Sequence, residues 1–329
     1  FGIPEYMPPI RLQDFQSNLE DFMKKKILVI GSLNMDQSIR LERMPLVGET
    51  VMGRGITYQA GGKGANQACA AGRLQAQVRM MGCVGADSFG RTLRNQVEGC
   101  GVDGSGIRLI EGCATGMAVI YVDGNGDNSI VVIPGANGEC GREYLQQMDE
   151  WLCWCDYLLM QMEIPHETVL CAAGRAKELG KTVILNPAPV PDSLPEGLLA
   201  LTDYVTPNET ELEKLTGIPA SGRENVRLAA EKLQEMGAEN VIVTLGEDGA
   251  YWLGQQKEGF FPSRKVEAVD TTAAGDCFNG AFAAALAEGM DTEEAIRFAN
   301  RAASIAVTRK GALDSLPDRR ETEDAAREI

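Results

Sequence analysis

Short apolar runs alternate with longer amphipathic segments along most of this 329-residue chain, and this order constrains its fold more than any other feature. Five runs predict buried strands, at residues 78–84, 157–161, 182–185, 204–206 and 241–244. Helical patterns lie between several of them, at residues 65–73, 88–100, 166–179, 209–216 and 225–236. Because a helix that connects two parallel strands covers one face of their sheet, the alternation predicts an α/β fold: a doubly wound, mostly parallel sheet with helices on both faces. Ligands of such sheets bind beyond the carboxyl ends of the strands.

Two stretches depart from the alternation. Residues 38–59 and 107–133 contain strand-like runs, and a Gly-Asn-Gly-Asp turn separates two of these runs at residues 124–127. We expect them to form a small accessory β-sheet that serves as a lid. Residues 1–22 also differ, because prolines precede an apolar stripe at helical spacing, and we interpret them as an N-terminal extension or a cloning remnant. Residues 23–329 are then one domain that includes the lid.

The net charge of the chain disfavours some classes of binding partner. Asp and Glu number 47 against 31 Lys and Arg, which gives a net charge of −16. Such a surface repels phosphate backbones and anionic lipids, so neither nucleic acid nor a membrane is an expected partner. The nine scattered cysteines contain no C-x-x-C pair, which indicates a reducing, cytoplasmic environment. The single histidine, His166, follows a proline and is interpreted as a loop residue, so histidine relays and multi-histidine zinc sites rest on one residue or are absent.

The segment with the most specific pattern covers residues 269–280. Small residues at positions 273–275 allow a ligand to approach the backbone closely, and an alanine-rich helix follows through residue 287. The free N–H groups and the positive end of that helix would form an anion site. Asp276 lies in the first turn, where it is either a helix cap or a base that accepts a hydroxyl proton while the N–H groups stabilise charge on a transferred phosphoryl group.

A second segment, residues 58–67, runs from a glycine-rich loop into a helix and by itself is compatible with a tight turn. It does not match a phosphate-binding P-loop, because Thr57 stands where the first glycine is needed. No G-x-G-x-x-G dinucleotide fingerprint follows the first strand either. Together with Asn34 and Asp36 after that strand, the segment offers the mixture of carboxylate, amide and ammonium groups that a polyol requires. Glu163, at the end of another strand, is a further candidate acceptor.

Two more segments follow predicted strands. Residues 206–211 lead into a helix, and residues 243–249 contain two glycines. Asn208 and Glu211 lie on one face of the predicted helix, where they are candidates to position a hydrated metal ion and phosphates. Acidic residues at strand ends are usually just solvated, so this pattern is less specific than the preceding two.

These four segments, taken in their order along the chain, resemble the ribokinase-like family of carbohydrate kinases. The resemblance extends from residue 26 to about residue 317. The segment Gly61-Gly62-Lys63-Gly64-Ala65-Asn66-Gln67 resembles the sugar-side signature of the family, and residues 270–276 resemble its C-terminal signature. Residues 186–189, 207–211 and 306–312 are also similar. The resemblance implies a kinase domain that transfers phosphate from ATP to the 5-hydroxyl of D-ribose, with Mg²⁺, a K⁺-like activating cation and a homodimer formed through the lid.

The resemblance also implies roles for individual residues. Asp276 would be the catalytic base, beside an anion hole formed by the backbone of Ala273, Ala274 and Gly275. The residues implied to bind the sugar are Asn34, Asp36, Gly62, Lys63, Asn66, Glu163 and Asp276. Those implied to bind the nucleotide are Asn208, Thr244, Gly246, Gly249, Gly275 and Asn300, with Glu211 near Mg²⁺ through water. The K⁺ ligands would be Asp270 and Thr272, together with Ala306, Arg309, Gly311 and Ser315 mainly through their carbonyl groups.

Other interpretations stay open at this point. One is a related kinase for deoxyribose, fructose or a nucleoside, although a nucleoside would need an aromatic slot and the matched sugar-side positions are polar. Another is a catalytically inactive sugar sensor, which the loss of Asp276 or Glu211 would mark; both residues are present. Cys277, beside Asp276 in the first helical turn, is either an acidified thiol or a buried, inert one.

Overall fold

The computed structural model describes residues 25–141, 144 and 148–327, so the predicted N-terminal extension lies outside the described residues. In chain order the strands are β1 (Lys26–Ile30), β2 (Asn34–Arg40), β3 (Gly55–Gly61), β4 (Gln77–Gly85), β5 (Asp103–Ile110), β6 (Gly116–Val122), β7 (Asn128–Ile133), β8 (Tyr157–Met160), β9 (Thr182–Leu185), β10 (Tyr204–Val205), β11 (Asn240–Thr244), β12 (Ala250–Leu253) and β13 (Glu258–Phe261). The helices are α1 (Lys63–Arg73), α2 (Ser88–Gly99), α3 (Met148–Trp154), α4 (His166–Glu178), α5 (Glu209–Thr216), α6 (Arg223–Glu235), α7 (Ala274–Ala287), α8 (Thr292–Ala306) and α9 (Arg319–Asp324). Each of the five strands and five helices predicted from the alternation is present, with ends shifted by at most two residues.

Within the described residues, nine strands form one sheet in the order β13-β12-β11-β10-β9-β8-β1-β4-β5. The strands from β11 to β5 all pair in parallel, and β12 and β13 add an antiparallel hairpin at one edge. The first strand lies inside the sheet, and later strands are added on both sides of it, which is the doubly wound arrangement. This order confirms the predicted α/β fold class.

Successive residues of β1 face opposite cores. Ile27 and Val29 belong to the apolar cluster that includes α1, α7 and α8, whereas Leu28 and Ile30 belong to the cluster on the other face with α3 and α4. All four side chains are fully buried. Because both faces of the sheet are covered, its central strands are continuous apolar runs rather than alternating ones.

Helix α7 is buried over most of its length, from Asp276 to Ala287. It packs against α1, and the two backbones approach so closely that a Cβ atom on Gly280 would lie 2.4 Å from the carbonyl oxygen of Gln67. Only glycine fits at that crossing. The contact brings the first turns of α1 and α7 together, next to the residues that follow β8 and β9.

A separate small sheet has the strand order β3-β2-β6-β7, in which the outer pairs are antiparallel and the central pair, β2 with β6, is parallel. The predicted lid intervals need correction at their ends. Strand β2 begins at Asn34 rather than near residue 38, and residues 107–110 belong to β5 of the large sheet. Because β5 is an edge strand whose apolar residues all lie in its second half, that half resembled a lid strand.

The single histidine begins helix α4 directly after Pro165, which corrects its assignment to a loop. A proline at the helix start supplies a suitable backbone angle and lacks an N–H group that would need a partner there. Among the helices of the described residues, none combines the length and the apolar character that a bilayer crossing requires.

Candidate active site

The N-terminus of α7 has the geometry of an anion site. Ala273 precedes the helix in a left-handed conformation, with φ of 59°. The first intrahelical bond runs from the N–H of Cys277 to the carbonyl of Ala273 (2.7 Å), so the N–H groups of Gly275 and Asp276 precede it and point out of the helix end. Gly275 is exposed, and a Cβ atom there would meet open space, which leaves room for a ligand. These groups and the helix dipole favour a negative charge at this point.

The carboxylate of Asp276 is buried beside that helix end, with 7% of its surface exposed. Its Oδ2 accepts a hydrogen bond from Nδ2 of Asn66 (2.9 Å), and its Oδ1 accepts one from Nε2 of Gln67 (2.9 Å). Both donors come from the first turn of α1. Because the two carboxylate oxygens are held by different amides, the orientation of Asp276 is fixed.

Asn66 keeps one polar atom without a protein partner. Its Oδ1 is buried and accepts no hydrogen bond among the described residues, although its Nδ2 donates to Asp276. A buried acceptor without a donor costs free energy, so such an atom next to a carboxylate indicates a place for a ligand O–H group.

The sugar-side residues implied by the resemblance lie around this point, held by backbone and side-chain contacts. Ser32 donates to Oε2 of Glu163 (2.5 Å), which also accepts from the N–H of Lys63 (3.2 Å). Asn34 accepts from Nδ2 of Asn137 (2.8 Å), which anchors the first residue of β2.

Glycines bring the backbone close to the same side chains. Gly62 has φ of 91°, and a Cβ atom there would lie 2.6 Å from the backbone nitrogen of Asn34. A Cβ atom on Gly61 would likewise meet the carboxylate of Asp36. Substitution of either glycine would therefore displace the first strand of the small sheet from the start of helix α1.

Charges of both signs are crowded at the site. Burial, and then the carboxylates of Glu163 and Asp276, raise the pKa of Asp36 to about 7 against the opposing effect of Lys63. Burial alone would lower the pKa of the Lys63 ammonium, but the surrounding carboxylates raise it above its ordinary value. Burial also raises the pKa of Glu211. Lys63 thus supplies positive charge where several acids converge.

A polar cavity of about 190 Å³ lies at the helix end. Residues from all four sequence segments described above line it, among them Lys63, Asn208, Glu211, Thr244, Ala273, Ala274, Gly275 and Asp276. A longer groove of about 520 Å³ shares several of these residues and extends away along α8. All the residues that the resemblance assigns to the nucleotide line this groove: Asn208, Thr244, Gly246, Gly249, Gly275 and Asn300. The site is therefore a small polar chamber next to a larger groove whose volume is in the range of small-molecule sites.

Asn208 and Glu211 are positioned by a capping box at the start of α5. The side chain of Asn208 accepts from the N–H of Glu211 (2.8 Å), and the carboxylate of Glu211 accepts from the N–H of Asn208 (2.9 Å). The described residues contain no group of three or more His, Cys, Asp or Glu side chains that could hold a metal ion by themselves. The carboxylate of Glu211, which lines the cavity together with that of Asp276, fits Mg²⁺ that keeps its waters and binds substrate phosphates, which is the usual coordination of that ion.

Of the residues implied for K⁺, Asp270, Thr272 and Gly311 are in direct contact. Asp270 accepts from the N–H of Gly311 (3.0 Å) through one oxygen and from the N–H of Thr272 (2.9 Å) through the other. Burial would raise the pKa of Asp270, but these hydrogen bonds lower it below its ordinary value. The Arg309 guanidinium pairs with Glu321 and so leaves only its backbone for a cation. Carbonyl groups on a tight loop beside one carboxylate fit a monovalent cation.

Cys277 is fully buried, and burial raises the pKa of its thiol to about 12. The hypothesis of an acidified thiol is therefore wrong. Although Cys277 lies in the first helical turn, its side chain faces the core rather than the helix end, and desolvation outweighs the helix dipole.

The sequence interpretation assigned no role to several buried polar residues that hold the site together. They are Ser32, Gln67, Asn137, Gln161, Asn186, Thr206 and Asn279. Their hydrogen bonds connect strand ends to the first turns of α1 and α7. The available signal is an uncharged amide or hydroxyl directly after an apolar strand, as at Gln161, Asn186 and Thr206.

A parallel sheet with an anion site at the start of a helix, next to a polar cavity, is an arrangement typical of enzymes that transfer phosphoryl groups. The chain matches the pfkB family of carbohydrate kinases over residues 24–319, and it belongs to that family. It is an ATP-dependent sugar kinase.

Relatives and solved structures agree with this membership. The chain is 43% identical over 300 residues to a ribokinase of Haemophilus influenzae, a match that covers 91% of this chain and 98% of the relative. It is 39% identical over 292 residues to a deoxyribokinase of Salmonella typhimurium, covering 88% and 95%. The structure of Arabidopsis thaliana ribokinase complexed with ribose and ATP superposes with a TM-score of 0.87 at 36% identity, covering 92% of this chain and 98% of that one.

Proposed function

We propose that this kinase transfers the γ-phosphoryl group of ATP to the 5-hydroxyl of D-ribose. The observation that supports this most directly is the buried carboxylate of Asp276, fixed next to the open end of α7 and beside the unpartnered Oδ1 of Asn66. The likeness to a ribokinase of Haemophilus influenzae and to a plant ribokinase complexed with ribose and ATP favours ribose as the acceptor.

In this proposal Asp276 accepts the proton of the 5-hydroxyl as its oxygen attacks the γ-phosphorus. The bond between that phosphorus and the oxygen bridging to the β-phosphate breaks, and ADP leaves. The N–H groups of Gly275 and Asp276 at the start of α7 stabilise the charge on the phosphoryl oxygens, whereas the N–H of Ala274, which the resemblance also assigned to the anion hole, donates to the carbonyl of Thr271 (3.2 Å). Lys63, which lines the same cavity, adds a positive charge next to the transferred group.

The remaining sugar hydroxyls are bound by polar groups on both sides of the cavity. Asn34, Asp36 and Glu163 offer acceptors, the amide of Asn66 offers its free oxygen, and Gly62 allows the sugar to approach the backbone. The nucleotide occupies the groove lined by Thr244, Gly246, Gly249 and Asn300.

Two cations complete the proposal. Mg²⁺, when bound, neutralises charge on the phosphates, and Asn208 and Glu211 would hold it through water. A K⁺ ion would lie against Asp270 and Thr272 and the carbonyl groups of Ala306, Arg309, Gly311 and Ser315. Its site adjoins the residues before α7, so it would steady the loop that forms the anion hole.

Deoxyribose is the second candidate acceptor, because the chain is 39% identical to a deoxyribokinase of Salmonella typhimurium. The two sugars differ by one hydroxyl, and a site that hydrogen-bonds that hydroxyl rejects the sugar that lacks it.

A phosphorylation panel tests the acceptor. Ribose, 2-deoxyribose, fructose and adenosine are compared by kcat/KM with ATP, Mg²⁺ and K⁺ present. We expect ribose to give the highest value. A higher value for 2-deoxyribose would replace ribose with the second candidate, and the absence of transfer to every sugar would favour an inactive sensor.

The proposal extends to assembly and location. The edge strand β7 exposes about half of each of Ile130, Val131, Val132 and Ile133, which is costly for an isolated sheet edge. We place a homodimer contact on this strand. All nine cysteines are free thiols, in keeping with a cytoplasmic enzyme.

A further inference from the structure

The glutamine that follows Asn66 on α1 lies at the centre of a buried amide network. Gln67 is fully buried, and its Nε2 group donates to Oδ1 of Asp276 (2.9 Å) and to Oδ1 of Asn186 (3.1 Å). Its Oε1 accepts from Nε2 of Gln161 (2.7 Å). A flipped amide would place an oxygen against two acceptors and a donor against a donor, so these partners fix the orientation of Gln67.

The network rests on rigid elements. Gln161 directly follows β8 and Asn186 directly follows β9, both at the carboxyl end of the large sheet. The Nδ2 group of Asn186 donates to the carbonyl of Thr206 (3.0 Å), which ties the network to the next strand. Since every member is nearly or fully buried, none of these amides can exchange its protein partner for water at low cost.

Gln67 differs from Asn66 in what it can touch. Asn66 donates to the other oxygen of Asp276 and keeps a free Oδ1 for a ligand. Both polar atoms of Gln67 are already occupied by protein groups. Gln67 therefore influences the reaction through Asp276 and not through direct contact with the sugar.

We propose that Gln67, oriented by Gln161, is a positioning residue that holds the carboxylate of Asp276 for proton transfer. This inference rests on the proposed role of Asp276 as the base. A carboxylate with one oxygen released can rotate, and the fraction of time it spends aligned with the hydroxyl falls. The donated hydrogen bond also favours the ionised form that a base requires.

The charged groups that face Asp276 come from other elements. They are Asp36 on β2, Lys63 at the start of α1 and Glu211 on α5, while the Cys277 thiol adjoins it on α7. Gln67→Met changes none of these charges and nearly preserves volume. The variant therefore removes the hydrogen bonds of Gln67 and little else.

The test compares Gln67→Met, Gln161→Met and the double variant, using the best sugar of the panel. We expect Gln67→Met to lower kcat by about 10- to 100-fold with little change in KM for ATP, the loss typical of one hydrogen bond to a charged group. Gln161→Met does not touch Asp276 and should lower kcat less, by about 3- to 10-fold. Because Gln161 acts through Gln67, the double variant should be no worse than Gln67→Met alone.

Gln234→Met is the matched control. This glutamine also donates from a helix to two oxygens, but they are the backbone carbonyls of Glu239 (3.1 Å) and Leu253 (3.4 Å), and it lies on α6. Its kcat should equal that of the wild type. Thermal unfolding of each variant separates lost folding from lost positioning, and Gln161→Met keeps the test decisive if Gln67→Met does not fold.

Fully additive losses in the double variant, or folded Gln67→Met with wild-type kcat, would overturn the positioning role. Repeating Gln67→Met in an Asp276→Asn background separates the two proposals, since no further loss is expected there. High turnover by Asp276→Asn itself would refute the base. Loss with Asp276→Asn but not with Gln67→Met would leave the base intact and refute only the positioning residue.

Discussion

The carboxylate of Asp276 is buried among groups that compete for its charge. Two amides donate to it, Lys63 lies nearby, and Asp36 and Glu211 repel it. Such a cluster of perturbed titratable groups in a cleft is typical of a functional site. The contribution of each of these side chains can therefore be tested by a single substitution.

Replacement of Asp276 by Asn should remove the proposed base. We expect kcat to fall by about 10²- to 10⁴-fold, the usual contribution of a general base, while KM for the sugar changes little. Steady-state kinetics with varied ribose measures both. Asp149→Asn, an exposed carboxylate on α3 that pairs with Arg175, is the control and should behave as the wild type. Turnover near the wild-type value would mean that another group takes the proton.

The raised pKa of Asp36 predicts a pH-dependent stability. Because the folded state raises this pKa from 3.8 to about 7, its contribution is complete below pH 3.8 and is lost as the pH rises through 7. The side chain of Asp36→Asn cannot ionise. Between pH 5 and pH 8 the free energy of unfolding of this variant should therefore fall by less than that of the wild type, and the two decreases should differ by up to roughly 3 kcal/mol.

Urea unfolding of the ligand-free protein at several pH values measures this difference. Asp149→Asn is again the control, because hydrogen bonds from Arg175 lower the pKa of Asp149 and its titration lies below this range. Stability curves of Asp36→Asn and wild type that run parallel from pH 5 to pH 8 would contradict the prediction.

Hydrogen-bond partners at the site could not be predicted from the sequence. Asn66 and Asp276 are 210 residues apart, and Gln67 and Gln161 are 94 apart. The motif indicated that Asn66 and Gln67 lie near a polyol. Only the packing of α1 on α7 decides that the side-chain amides of both residues donate to the carboxylate of Asp276. The sequence around Cys277 likewise did not show that burial would have a larger effect on the pKa of its thiol than the helix end.

At the scale of elements, the strands and helices predicted correctly are those determined by interactions between residues close in sequence. Strand β9 is a short apolar run buried on both faces, and helix α5 has its capping box and its αL glycine at Gly217. Strand β5 was assigned to the wrong sheet because its pairing with β4 is a tertiary contact and its own composition is mixed. Strand pairing depends on tertiary contacts that periodicity does not encode.

The loop from Val307 to Ser315 predicts a cation effect. Its backbone lies against Asp270, and it also approaches β3, because a Cβ atom on Gly311 would lie 3.3 Å from Nε2 of Gln59. Exchange of K⁺ for tetramethylammonium at constant ionic strength should lower kcat several-fold, because a large cation cannot fit among carbonyl groups. Initial rates against K⁺ concentration measure the effect, and equal rates in both salts would exclude a cation site in this loop.

At the scale of the whole molecule, the exposed edge of the small sheet predicts association. Strand β7 presents apolar residues on both sides of its backbone, and sheet edges of this kind pair with another chain unless charges protect them. Sedimentation equilibrium should detect a homodimer. Val131→Lys with Ile133→Lys should shift it to monomer without unfolding, whereas Leu228→Lys, an exposed apolar residue on α6, should leave it unchanged. A wild-type monomer at all concentrations would contradict the prediction.

The small sheet is assembled from two separate parts of the chain, residues 34–61 and residues 116–133, joined by the parallel pairing of β2 with β6. It therefore cannot be inherited or transplanted as one insertion. An exchange of the small sheet between relatives must replace both parts together and keep the pairing of Asn34 with Gly116 in register. During synthesis, β2 gains its neighbour β6 only after β6 has emerged, yet all four strands of the small sheet emerge before β8, the second neighbour of β1 in the large sheet.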